Sequence, residues 1–223
     1  MDFKNKIISD CCGKVHEEQC SRCSKKEITT RKILDAASKI FAEVGFEGAR
    51  VDEIAKVAGV NKATLYYNIG DKETLYAAVI HDVIRESAKN LIDQMVKLEN
   101  PEEKLSFFIS RLVQRMYENP YLPKILMREN AGGGKNFPAI VGNDFKLIVG
   151  LLIDILDEGK EKGIFRNVHP LILHMMVIGG ISFLQTTEPI RKKFNLFADK
   201  DNLSVETIQK EFLNILLTAV RKD

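Results

Sequence analysis

The chain carries no surplus of charge. Its 33 lysines and arginines stand against 31 aspartates and glutamates, a net +2, so bulk electrostatics give no argument for nucleic acid. Chain breakers are few, with 14 glycines and 6 prolines in 223 residues, and 45% of the residues are apolar. That composition excludes a disordered chain and suits a globular, mostly helical one. Long apolar runs are missing too: the longest, LILHMMVIGGISFL at 171–184, is broken by His174 and Ser182 and falls short of the roughly 20 residues a bilayer needs. The opening MDFKNKIISDCCGK has neither the unbroken apolar core nor the small-residue cleavage site of a secretory signal. A cytoplasmic protein with no membrane partner is expected. Four histidines are scattered without an H-E-x-x-H pattern or a nucleophile–base arrangement, so neither an enzyme nor a bound cofactor is expected.

What is present is helical periodicity, with little strand alternation and no internal repeat. Thr29 and Thr30 can cap a first helix whose stripe is Ile33, Ala37, Ile40, Phe41 and Val44, stopped by Gly45. Val51, Ile54, Ala55 and Ala58 are spaced i, i+3, i+4, i+7 and end at Gly59, a second helix. Asn61 caps a third, and Gly70 and Asp71 separate it from a long helix over 72–98, roughly 40 Å at 1.5 Å per residue. Beyond Asn100 and Pro101 the helices lengthen. Leu105, Phe108, Ile109, Leu112 and Met116 mark the fifth, residues 122–130 a short sixth, and AGGGKNFP a loop. The segment 144–162 is apolar on nearly every side and is expected to be buried in a bundle. Pro170 opens the next helix, which ends before Pro189; RKKFNLFADKDN reads as a charged link, and Val205 to Ala219 as a last helix with two apolar stripes. Two stripes need two partners.

The stretch GVNKATLYYN, residues 59–68, carries the chemistry. With Asn61 at zero and about 100° per residue, Leu65 and Ile69 fall at about 40° and about 80°, and Lys62, Tyr66, Ala63 and Tyr67 cover roughly 100–240°. The apolar pair faces a core, and the lysine, the phenols and the small alanine face out. A helix of that kind, following another that ends in glycine, has the form of a helix-turn-helix recognition helix. Lysine neutralises phosphate, tyrosine hydroxyls donate to phosphate oxygens, and alanine allows close approach to the groove.

Residues 29–80, TTRKILDAASKIFAEVGFEGARVDEIAKVAGVNKATLYYNIGDKETLYAAVI, resemble the DNA-binding domain of the tetracycline-repressor (TetR) family of bacterial transcription regulators. The resemblance rests on ILDAASKIFAEVGF, VDEIAKVAGV, NKATLYYN and DKETLY. Two positions depart from the family pattern: Ala49 and Arg50 stand where threonines are common, and Ile69 where an aromatic is frequent. The resemblance implies that Thr30, Tyr66, Tyr67 and Lys72 hold the DNA backbone, with Asn68 a helper and Arg50 a substitute phosphate contact. It places Asn61, Lys62, Ala63 and Thr64 nearest the bases, where lysine can donate to guanine and the alanine and threonine methyls can meet a thymine methyl. Lys25, Lys26, Arg31 and Lys32 read either as added phosphate contacts or as a solvated basic patch. The resemblance also implies an all-α fold, a homodimer on a pseudo-palindromic double-stranded operator, and a C-terminal helical domain that takes a small-molecule effector. The chain then divides into a Cys-rich extension (1–27), a helix-turn-helix domain (28–75) and a helical regulatory and dimerisation domain (76–223). The function expected is that of a repressor released from its operator by a small apolar or amphipathic molecule.

For that effector, Phe108, Met116, Met127, Phe137, Met175 and Phe183 are candidate apolar walls, with Arg128 and His174 as polar contacts; each also reads as ordinary core. AGGGK at 131–135 fails as a phosphate loop, because Asn136 stands where Ser or Thr is needed. All four cysteines sit in CCGKVHEEQCSRC, residues 11–23. Cys12, His16, Cys20 and Cys23 read as a metal or thiol site or as one face of a helix, on which Cys12 and Cys23 lie about 16 Å apart. A metal- or redox-responsive regulator is the alternative these residues open.

Overall fold

The structure, a computed structural model, describes residues 25–222, and its regular elements are helices. They are α1 (Lys25–Gly48), α2 (Val51–Val57), α3 (Lys62–Asn68), α4 (Lys72–Met95), α5 (Pro101–Glu118), α6 (Leu122–Ala131), α7 (Ala139–Glu161), α8 (Pro170–Thr186), α9 (Glu188–Phe194) and α10 (Val205–Val220), with a 3-10 turn at Ala198–Asp201. No strand occurs among the described residues; one isolated bridge pairs Phe165 with Arg221. The all-α expectation therefore holds. Two compact units divide between Asp82 and Val83, inside α4.

In the first unit α1, α2 and α3 pack on one another. Ile33, Phe41, Ile54, Leu65, Leu75 and Ile80 are fully buried, each contributing about 1.5–3 kcal/mol of burial. Tyr76 sits edge-on to Phe41, ring centroids 4.7 Å apart, and 5.1 Å from Phe46. The sequence expected Thr29 and Thr30 to cap α1. They do not: the helix is under way at Lys25, and the Thr29 hydroxyl donates to the Lys25 carbonyl at 2.9 Å, a bond made within a helix rather than at its start. Gly45 (φ 75°, ψ 177°) breaks α1, which resumes for one turn to Gly48.

In the second unit α5 is the hub, packing on α7, α8 and α10. Asn100 caps it, accepting from the Glu102 N–H at 2.8 Å, and Pro101 opens it. Its face of Leu105, Phe108, Ile109, Leu112, Val113 and Met116 is buried. Arg115 ties it to α4, donating to Ser87 Oγ at 3.2 Å and pairing with Glu86 at 2.5 Å.

Three boundaries differ from the sequence reading. Helix α4 ends at Met95, followed by a turn in which Lys97 and Leu98 donate to residues three back. Helix α7 starts at Ala139 and is not buried on every side, since Leu147 and Ile153 are exposed. Helix α9 runs into the charged link: Glu188 lies in its first turn, Arg191, Lys192 and Lys193 in its last, and Asn195 ends it in the left-handed region at φ 48°. Charges placed that way complement the helix dipole, and Arg191 pairs with Asp201 at 2.7 Å where both are largely buried.

Candidate nucleic-acid interface

The turn between α2 and α3 is built by two local devices. Gly59 takes φ +68°, a conformation that costs glycine nothing and an L side chain about 1 kcal/mol or more. Asn61 then caps α3, its Oδ1 accepting the Thr64 N–H at 2.7 Å. Leu65, at 0% exposure, anchors the inner face of α3, so the outer face is fixed by subtraction.

That outer face carries Asn61, Lys62, Ala63, Tyr66 and Tyr67, all exposed, with Thr64 half-buried at its edge. Tyr67 is 77% exposed, an unusual position for a phenol with no contact to make. The Lys26 ammonium lies 5.6 Å from its ring. Lys62 forms an ion pair with Asp52 of α2 at 2.9 Å, and the hydrogen bond to that carboxylate raises its pKa. Lys62 is therefore charged and held in place before any nucleic acid arrives. Asp52 was missed in the sequence; opposite charges on either side of a helix-turn-helix turn were the available signal.

The flanking residues lie on neighbouring elements. Arg50 is exposed at the N-cap of α2, where its side chain makes no capping bond. Thr30 is half-buried in α1. Lys72 opens α4 with its ammonium 4.6 Å from the Phe46 ring and 3.4 Å from the Glu47 carbonyl. Asn68 departs from expectation. It is buried, and its amide donates to the Thr64 carbonyl at 2.7 Å, so it finishes α3 and does not reach outward.

In the second unit the effector candidates scatter. Phe108 and Met116 are core residues of α5, Met127 is half-buried in α6, and the Phe137 ring lies tilted against Phe145 with centroids 5.6 Å apart. His174 is 4% exposed, its Nδ1 has no partner, and burial lowers its pKa. Three candidates lie on outward faces: Arg128 is on the exposed side of α6, and Met175 and Phe183 of α8 are 53% and 61% exposed. A helix apolar on all sides gives no stripe by which a sequence could tell its two faces apart. Cys12, His16, Cys20 and Cys23 lie outside the described residues. Among the described residues no group of three His, Cys, Asp or Glu could hold a metal ion, and no single helix is long and apolar enough to cross a membrane.

A short helix with a capped start, exposed Lys, Tyr and Ala, and a buried inner Leu, set on α2 by a left-handed glycine, defines a helix-turn-helix DNA-binding protein. Residues 33–79 match the model for "Bacterial regulatory proteins, tetR family", and residues 101–210 that for "Tetracyclin repressor-like, C-terminal domain". The HTH-type transcriptional repressor NicS of Pseudomonas putida is 29% identical over 152 residues, 66% of this chain and 70% of NicS. The fatty acid metabolism regulator protein of Bacillus subtilis is 24% identical over 169 residues, 75% of this chain and 87% of that protein. Among solved structures, a linker-substituted mutant of HlyIIR superposes with a TM-score of 0.67 at 25% identity, covering 89% of this chain and 98% of the other. The chain belongs to the tetR family of bacterial regulatory proteins. It is a ligand-responsive DNA-binding transcriptional regulator, and the relatives lend no support to the metal- or redox-responsive alternative.

Proposed function

We propose that the chain is a cytoplasmic homodimeric repressor that grips the DNA backbone with Thr30, Arg50, Tyr66, Tyr67 and Lys72 and reads bases with Asn61, Lys62, Ala63 and Thr64. The observation that carries this reading is the outer face of α3, where two exposed phenols flank a lysine and an alanine on a helix anchored from behind by Leu65. Phosphate contacts set the register and the small groove-facing residues supply sequence choice. Lys62 is paired with Asp52 at 2.9 Å, and its ammonium has further N–H donors to offer a base or a phosphate.

Dimerisation is supported by an apolar face that no described residue covers. Ile172, Met175, Met176 and Phe183 lie on one side of α8 and are each more than half exposed, and Ile215 of α10 is exposed as well. Monomers rarely leave such a patch in water, and a self-complementary patch of this kind suits a two-fold interface. Two copies would set two α3 helices into successive major grooves, roughly 34 Å apart. An effector in the second unit releases the operator by binding the non-DNA-binding state more tightly. The family role of NicS as a repressor supports the direction of control.

Genomic footprinting with the full chain tests the proposal. Protected sites should be pseudo-palindromic with half-sites about 10 base pairs apart. In the Lys72→Ala protein, affinity should fall at all sequences alike and the salt slope should drop by about one. Absence of any specific footprint would overturn the reading.

A further inference from the structure

The stretch that joins α8 to α10 wears its apolar side chains on the outside. Ile190, Phe194, Leu196, Phe197 and Leu203 are each between 46% and 63% exposed, and α9 within the stretch has no fully buried residue. So many large apolar side chains in so short a link call for a cover.

The stretch is nonetheless held in one shape. Arg191 pairs with Asp201 at 2.7 Å, their side chains 12% and 14% exposed, which ties the beginning of the link to its end. The same guanidinium donates to the Leu184 carbonyl and to Thr187 Oγ1, both at 2.6 Å, and the Thr187 hydroxyl donates to the Phe183 carbonyl at 2.6 Å. Helix α9 is thereby fastened to the last turn of α8, at a bend of 48°. Asn195 and Ala198 each turn the chain at φ 48°, a conformation that costs an L residue energy. An arm braced in this way has met much of its ordering cost before it binds anything.

The neighbouring face of α8 is left open in the same manner, and an exposed glycine, Gly179, lies within it. With Gly179 at zero and about 100° per residue, Ile172 falls at about 20°, Phe183 at about 40°, Met176 at about 60° and Met175 at about 40° on the other side. Nothing in its own chain asks for glycine there, since a Cβ would meet no atom within 4 Å. Gly180 differs: a Cβ on it would lie 3.1 Å from the Phe212 ring. A glycine inside a helix costs stability relative to alanine, and what it offers in exchange is close approach of another backbone.

Area decides how far the interface must reach. Half-exposed side chains of this size leave roughly 100 Å² each in water, so the α8 stripe and Ile215 of α10 offer about 500 Å². A stable interface takes about 800 Å² from each partner. The arm supplies about 500 Å² more, and it is continuous with α8 at one end and α10 at the other.

We propose that residues 188–203 are a dimer arm: Ile190, Phe194, Leu196, Phe197 and Leu203 pack on a second copy of this chain, extending an interface in which two α8 helices come closest at Gly179. The proposal rests on the homodimer reading above and deepens it. In the sequence the arm reads as a charged link, because its apolar residues follow neither a helical nor a strand period.

The test uses the full chain under reducing conditions, as wild type and as the Phe194→Glu, Phe197→Glu and Gly179→Leu variants. Sedimentation should give a wild-type dimer and a dissociation constant raised at least about tenfold in each variant. Thermal melts of the diluted monomers should show the fold intact, with Gly179→Leu melting no lower than wild type. Amides of 188–203 should exchange faster with solvent once the wild type is diluted below its dissociation constant. A dimer whose dissociation constant ignores both arm substitutions, or whose exchange in 188–203 ignores dilution, would overturn the arm and leave the homodimer standing; a wild type that stays monomeric would remove both. Binding to phosphatidylglycerol vesicles that Phe194→Glu abolishes, with the dissociation constant unmoved, would assign the arm to a lipid surface and overturn the proposal.

Discussion

Arg50 occupies the N-cap of α2 without capping it. The first turn of that helix is left to the charges of Asp52 and Glu53, which favour the helix dipole but satisfy no specific N–H. Arg50→Ser should therefore raise stability by about 0.5–1 kcal/mol while weakening DNA binding at all sequences. Urea melts with an unchanged m-value, set beside a salt titration of DNA binding, check both halves; unchanged stability would mean that the acidic first turn suffices. Residue roles were legible where they depend on neighbours in the chain. Asn61 and Gly59 could be read because capping and left-handed turns are set within three or four residues. Asn68 could not, because its amide had two acceptors to choose between, DNA and its own helix, and the Thr64 carbonyl is the nearer. The Lys62–Asp52 pair escaped for another reason: it depends on how α2 and α3 cross.

Helix α9 shows how an element hides. None of its seven residues, EPIRKKF, is fully buried, so there is no apolar stripe for periodicity to detect; only the capping charges mark it. Helix α8 poses the opposite problem. Its apolar residues are too many, and the division into a buried face around His174 and an exposed face around Met176 emerges only from packing. The exposed face gives a direct prediction. Phe183→Glu should leave the monomer folded and convert the proposed dimer to monomer with loss of operator binding, as sedimentation and a footprint would show together; a variant that stays dimeric would place the interface elsewhere. Helix α7 yields another. A Cβ on Gly159 would lie 2.0 Å from the ring of Phe165, itself 2% exposed. Gly159→Ala should destabilise by about 1–3 kcal/mol, and adding Phe165→Leu should recover part of that loss in a double-mutant cycle.

For the whole molecule, acid should act in two windows. Burial lowers the folded-state pKa of His174 below its ordinary 6.5, so its contribution to stability is complete above that value and is lost as the pH falls through the lowered one. Glu102, bonded to Arg221, and Glu158, bonded to Lys104 and Lys162, are held below the ordinary 4.5. Their contribution is complete above the ordinary value and fades as the pH falls through their depressed ones. Chemical denaturation across pH should show both steps, and His174→Gln should remove only the upper one. A different consequence follows from α4. Residues 72–95 contain no glycine and no proline, and the division between the units falls inside this helix. Severing it at Asp82 would strip four carbonyls and four N–H groups of their helical partners, so a separately expressed DNA-reading fragment is better ended at Met95. A protease likewise needs an extended strand to enter its cleft, and here the passage between the units offers a helix instead. Limited digestion should therefore trim the loops and turns of this chain without separating its two halves.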